Sequence, residues 1–170
     1  MLDKKVVELL NEQVNKEFYS AYLYLDFANF YEDKGLEGFA NWYTIQAQEE
    51  RDHAMLFYQY LHNNNQRVQL KAIAQPDRNL QTLMDPLKEG LKHEEYVTST
   101  IYTLYEAARE AKDLRTMQFL DWFVKEQGEE ETNAQDMITK MELFGSDPKG
   151  LYMLDNEYKA RVYTAPSLTL

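Results

Sequence analysis

Cysteine is absent from this chain of 170 residues, which excludes disulfides, thiol nucleophiles and cysteine-ligated metal sites, a rubredoxin-type iron centre included. Glycine and proline are scarce, six and four respectively, so long segments run without a break and favour helices. Basic residues are the minority, 18 against 29 acidic, for a formal net charge of −11. A surface of that sign repels phosphate backbones, and no nucleic acid is expected as a partner. The same excess attracts cations, although solubility alone accounts for it equally well. No stretch reaches the roughly 18 apolar residues that a membrane-spanning helix needs. The N-terminal M-L-D-K-K-V-V-E-L-L-N-E lacks the apolar run of a signal peptide. No membrane partner is expected, and the cytoplasm is the default location.

What is present suits one soluble domain over residues 1–170: 44% of residues are hydrophobic and 28% charged, enough for a sizeable core. Helical periodicity marks four long segments, about Asp3–Asp33, Leu36–His62, Leu80–Ala111 and Leu114–Phe144. Short links join the first pair and the second pair, so each pair is expected to form an antiparallel hairpin. The middle link, N-N-N-Q-R-V-Q-L-K-A-I-A-Q-P-D-R-N, is polar and contains the breaker Pro76. About 16 extended residues reach roughly 50 Å, while a helix of about 27 residues is roughly 40 Å long. The link can therefore travel the length of a bundle. These features predict an all-α four-helix bundle with one long crossover. A short fifth helix is expected over about 147–158, capped by Asp147 and opened by Pro148. The tail, about 159–170, is expected to be loose.

The core face of each helix, followed at steps of three and four, is mostly apolar and carries a polar break near its middle. The first stripe is Leu10, Val14, Glu17, Ala21, Tyr24 and Ala28. The second is Phe39, Tyr43, Gln46, Glu50, His53, Phe57 and Leu61. The third is Leu83, Leu87, Leu91, Glu94, Val97, Ile101 and Leu104. The fourth is Leu120, Phe123, Gln127, Glu130, Ala134, Met137 and Met141. One glutamate on an apolar stripe usually means a slightly rotated helix whose carboxylate reaches water. A single inward histidine is likewise more often a packed one than a ligand. Four breaks at matching depth are harder to dismiss, because in a bundle they face one another. Four carboxylates there would repel and take up protons, and metal removes the conflict. Two divalent ions balance the four charges of Glu17, Glu50, Glu94 and Glu130, and so do two ferric ions bridged by one oxide. Carboxylate oxygens with one imidazole suit iron, and also manganese or zinc. Glu50-x-x-His53 puts both side chains on one helix face, within reach of one ion.

An internal repeat sharpens the roles. At an offset of 77 residues, and without a gap, Glu17 matches Glu94, Glu50 matches Gln127, His53 matches Glu130 and Glu49 matches Glu126; Leu10 and Val14 match Leu87 and Leu91. A pseudo-two-fold axis between two ion positions follows. The halves differ chemically. Glu17, Glu50 and His53 offer a nitrogen and two carboxylates, whereas Glu94 and Glu130, sharing Glu50, offer carboxylates with Gln127 nearby. The second position is therefore expected to be the weaker. Glu49, Glu126 and Glu129 lie one step round from these ligands, towards the flank. They read either as a solvated acidic face or as a third iron site that passes ions onward.

These residues resemble the ferritin family, specifically its non-heme bacterial members, from L-N-E-Q-V-N-K-E-F-Y-S-A-Y-L-Y to G-L-Y-M-L-D-N-E-Y. The resemblance implies a hollow shell of 24 copies. It implies oxidation of ferrous iron by dioxygen or hydrogen peroxide at a di-iron ferroxidase centre, and storage as a ferric oxyhydroxide mineral. Glu17, Glu50 and His53 would form the first iron site, and Glu50, Glu94 and Glu130 the second, with Gln127 beside it. Glu49, Glu126, Glu129 and Glu130 would form the third. Tyr24 matches the family's tyrosine beside the centre, as electron or hydrogen-bond donor, with packing as the alternative, and Trp122 matches a nearby tryptophan that reads equally as a packing residue. Bacterioferritins carry a second Glu-x-x-His, where this chain has Glu130, and a heme-ligating methionine, where it has Arg51, so no heme is expected. Two other readings remain. A di-iron oxidase or peroxidase that retains its metals often uses two nitrogen ligands or an appended electron-transfer domain, and neither is present. A purely structural bundle would need the four aligned breaks to reach water.

Overall fold

The computed structural model describes residues 2–170. They form five helices: α1 (Lys4–Asp33), α2 (Glu37–Asn63), α3 (Asp85–Glu110), α4 (Leu114–Phe144) and α5 (Pro148–Lys159). The architecture is the expected all-α bundle with one long crossover and a short fifth helix. Asp3, Asp113 and Asp147 begin α1, α4 and α5, each carboxylate accepting from a backbone N–H of the first turn. Gly35, at φ +73°, ends the α1 hairpin in a conformation that a side chain would strain.

The long crossover follows from helix direction. Lys5 near the start of α1 meets Glu110 at the end of α3, and the Tyr31 hydroxyl near the end of α1 donates to the Leu83 carbonyl, 2.6 Å, just before α3. Hence α1 and α3 are antiparallel, α2 and α3 run the same way, and residues 64–84 must return along the whole bundle. The returning chain is fastened to α1, where Asn11 Oδ1 accepts from Gln69 N–H at 2.7 Å and Asn15 donates to the Ala72 carbonyl at 3.2 Å.

Two boundaries differ from the expectation. Helix α3 begins at Asp85 rather than near Leu80. The Asp85 carboxylate accepts from the N–H groups of Gln81 and Thr82, at 2.8 and 2.7 Å, and folds 81–84 into a turn; Pro86 then occupies the first helical turn, where its missing N–H costs nothing. The tail beyond α5 has no regular structure but is not loose. Arg161, Tyr163 and Ser167 bond to α2 and α4, and Leu168 packs on the core, so the segment runs down the flank of the bundle.

Helix α5 docks by a close approach. The Asp155 carboxylate accepts from the N–H groups of Gly38 and Phe39, at 2.8 and 3.1 Å, capping α2, whose own Leu36 cannot. A Cβ on Gly38 would lie 1.6 Å from the Asp155 carbonyl oxygen, so the site demands glycine.

The interior holds two separate apolar cores. One gathers Phe27, Tyr31, Phe39, Tyr43, Leu87, Met137 and Leu154; the other gathers Val6, Leu10, Phe57, Leu61, Ile101, Leu104, Phe119 and Phe123. Each large side chain buried there contributes about 1.5–3 kcal/mol. Between them lies a buried polar layer that contains Glu17, Gln46, Glu50, His53, Glu94, Gln127 and Glu130. The layer is where the stripes break, and all four helices cross it at the same height.

Candidate metal centre

Each helix delivers its polar break to the layer because the large apolar residues further along the same face are buried and fix the rotation of the helix. On α2, Tyr43, Phe57 and Leu61 are buried, so Glu50 and His53 on the same face must be buried too, each 2% exposed. Glu17 on α1, Glu94 on α3 and Glu130 on α4 are at most 5% exposed.

Three sets of ligand atoms converge, the atoms of each set lying within 4.8 Å of one another: Glu17, Glu50 and His53; Glu50, Glu94 and Glu130; and His53, Glu126 and Glu130. Glu50 belongs to the first two and so bridges them. Four carboxylates in an apolar interior are electrostatically adverse. Burial raises Glu17 to about 8, with the Glu50 charge adding to it. Glu94 is raised to about 8 by burial and then by Glu50, and Glu130 to about 8 by burial and then by Glu94. Glu50 is pushed well above the usual range by burial and by Glu130. Glu17 Oε2 is buried and has no hydrogen-bond partner. A partnerless carboxylate oxygen in such a layer is free to accept a cation, and the donor set of carboxylates with one imidazole suits a divalent ion such as iron.

Neighbouring amides and a phenol aim the carboxylates. Gln13 donates to Glu17 at 2.8 Å while its own oxygen accepts from the Thr100 hydroxyl at 2.9 Å. Gln46 donates to both Glu50, 3.0 Å, and Glu130, 2.7 Å. Glu94 accepts from the Tyr24 hydroxyl on one oxygen and from Gln127 on the other, at 3.0 Å. His53 Nδ1 lies 3.5 Å from Glu50, and its ring is held edge-on by Trp122 and Phe123 with centroids 5.5 and 5.8 Å away. Gln127 thus presents its nitrogen to Glu94, as a positioning group.

The flank is more varied. Glu126 joins His53 and Glu130. Glu49 instead forms an ion pair with Arg161 at 2.6 Å. Glu129 is exposed and pairs with Lys125 at 3.5 Å. All of these acids border a cavity of about 320 Å³ that also reaches His53, Trp122 and residues 164–167 of the tail. Elsewhere a larger apolar groove of about 550 Å³, lined by Phe18, Tyr22, Leu25 and Ile73 among others, lies outside the carboxylate layer.

Sequence reasoning missed the roles of Gln13, Gln46 and Arg161. For the two glutamines a signal existed: each stands four residues before its carboxylate, one helical turn away. The 77-residue repeat hides it, since Gly90 and Phe123 stand at the matching positions and Glu94 is held instead by Tyr24 of α1 and by Gln127.

The Ferritin-like domain family matches residues 7–144. The bacterial non-heme ferritin of Campylobacter jejuni is 39% identical over 159 residues, 94% of this chain and 95% of that one. That of Staphylococcus haemolyticus is 37% identical over 163 residues, 96% and 98% of the two chains. Among solved structures, a closed form of the Archaeoglobus fulgidus ferritin, engineered by site-directed mutagenesis, superposes with a TM-score of 0.94 at 40% identity. The superposition covers 96% of this chain and 100% of that one.

Proposed function

The chain belongs to the ferritin family and is an iron-storage ferritin, and from that premise we propose that the polar layer is its di-iron ferroxidase centre. Ferrous iron is the substrate. The first ion takes Glu17, Glu50 and His53; the second takes Glu50, Glu94 and Glu130, with Gln127 and Tyr24 holding Glu94. The observation that carries the reading is the pair of convergent ligand sets sharing Glu50, together with the partnerless Glu17 oxygen. Two divalent ions cancel the four carboxylate charges, and the protons those carboxylates hold leave as iron enters.

The oxidant is dioxygen or hydrogen peroxide, and electrons pass from the two ferrous ions to it. The imidazole makes the first position the tighter one. The carboxylate-only second position releases its ion more readily, which suits transit into a mineral store rather than a fixed cofactor. Glu126, with His53 and Glu130, offers an outward step, and Glu49 and Glu129 border the same cavity. The stored product is ferric oxyhydroxide inside a hollow shell of 24 copies in the cytoplasm. In support of assembly, the outer face of α1 and α2 carries an apolar groove, with Tyr22 and Leu25 about half exposed. No helix among the described residues is long and apolar enough to cross a membrane.

Aerobic addition of ferrous salt tests the reading. Glu50→Ala and His53→Ala are expected to lose the fast oxidation of the first two ions per chain. Wild-type rates in both variants would refute the site. Failure to load far more than a few irons per chain would refute storage. Elution near 20 or 40 kDa on gel filtration would refute the shell.

A further inference from the structure

The C-terminal segment carries Arg161 to the edge of the carboxylate layer. Its Nη2 donates to Glu49 at 2.6 Å and to the Gln46 oxygen at 3.0 Å; its Nη1 donates to the Trp42 carbonyl at 3.0 Å. The guanidinium lies over the Trp42 ring, 4.2 Å from its centroid. We propose that Arg161 is a built-in, displaceable counter-ion at the outer edge of the iron centre. It holds Glu49 and orients Gln46 while iron is absent, and an ion moving outward must displace it. The proposal rests on the ferroxidase reading above and adds the group that regulates passage.

Two features of the geometry support it. The first is the orientation of Gln46. With its oxygen receiving Arg161, the amide can offer only its nitrogen to Glu50 and Glu130. Without that donor the amide is free to flip and set an oxygen against two carboxylates. Gln13 is oriented in the same way, but by the neutral Thr100 hydroxyl on rigid α3. At Gln46 the orienting group is charged and rides on a segment without regular structure. A cation arriving beside it repels it, which a hydroxyl would not experience.

The second feature is the state of Glu49. Its carboxylate already has a cation and is mostly buried, whereas Glu129 meets Lys125 at the exposed rim, and it stands outside the convergent set of His53, Glu126 and Glu130. Release of Arg161 would free Glu49 for an ion in that cavity. The tail is suited to release. Its further attachments include Tyr163 to Asp52 and Trp122 to Ser167, the latter at 3.0 Å, and both hydrogen bonds are exposed.

Zinc(II), which does not oxidise, probes the balance by calorimetry on the assembled full chain. Beyond the first two ions per chain, Arg161→Gln is expected to bind the next zinc about ten-fold tighter than wild type, because a charge-assisted competitor is gone. In a Glu49→Gln background the same substitution should change nothing. Arg161→Lys keeps the charge and should stay within about three-fold of wild type. Tyr163→Phe with Ser167→Ala loosens the tail but keeps the guanidinium, and should tighten the next zinc by less than Arg161→Gln does. Equal or weaker outer binding in Arg161→Gln overturns the proposal, as does tightening by Arg161→Lys equal to that by Arg161→Gln, which would make the charge irrelevant. The ferroxidase reading survives either result if wild type still oxidises its first two ferrous ions. If wild type does not, reading and proposal fall together.

Discussion

Filling the centre with a divalent ion should expel protons, and the number can be worked out from the burial of its ligands. Glu17, Glu94 and Glu130 are each raised to about 8. At pH 7 a group with that value is about nine-tenths protonated, so the three hold about 2.7 protons between them. Glu50, also raised, adds up to one more. Two zinc ions per chain need all four carboxylates ionised, so anaerobic loading at pH 7 is expected to release about three to four protons per chain. At pH 9.5 the same three groups hold only about 0.1 proton together, and their release should all but vanish. Calorimetry in two buffers of different ionisation enthalpy counts the protons directly. Glu17→Gln, which keeps an acceptor for Gln13, should lower the count at pH 7 by about one. Release of fewer than one proton at pH 7 would refute the reasoning, because the carboxylates would then already be ionised in the metal-free protein. The same shifts set the sign for stability. Groups raised in the folded state contribute stability below about pH 4.5, and that contribution is lost as pH rises towards about 8. The metal-free protein should therefore weaken against urea across that window, and zinc should restore it.

Other perturbations follow from single contacts. Gln46→Ala removes the donor shared by Glu50 and Glu130, and is expected to weaken zinc binding by about 10–100-fold in a direct titration. Tyr24→Phe leaves one Glu94 oxygen without its donor; slower ferrous oxidation is expected in stopped flow, with a metal-free fold that melts within a few degrees of wild type. Phe57→Ala, in the core remote from Asp155, should cost about 3–5 kcal/mol in urea unfolding while leaving the ligand geometry able to bind zinc.

Much of the site was legible because helical periodicity is a local property. Glu17, Glu50, His53, Glu94 and Glu130 lie on faces whose other members are mostly apolar, and burial of those members carries the polar residue inward with them. The chemical difference between the two convergent side-chain sets was legible too, from Glu-x-x-His against Gln-x-x-Glu at the 77-residue offset. The start of α3 was misjudged because Asp85 captures the two N–H groups of Gln81 and Thr82, a side-chain choice that competes with helix and leaves no mark on periodicity. The flanking acids were legible as a group and not as individuals. Glu126 converges with His53 and Glu130, Glu129 faces solvent with Lys125, and Glu49 is taken by Arg161.

The sequence by itself determined which residues face inward, how many helices there are, and that a long link must return the chain along the bundle. Those follow from the 3.6-residue period and from chain length, which need no partner to be read. Tertiary structure alone decided what each inward residue meets. The pairing of Arg161 with Glu49 spans 112 residues, and that of Tyr24 with Glu94 spans 70. Contacts at such separations are set by how helices and a tail with no period of its own pack together. That packing turned a tail expected to be loose into a strap beside the carboxylate layer.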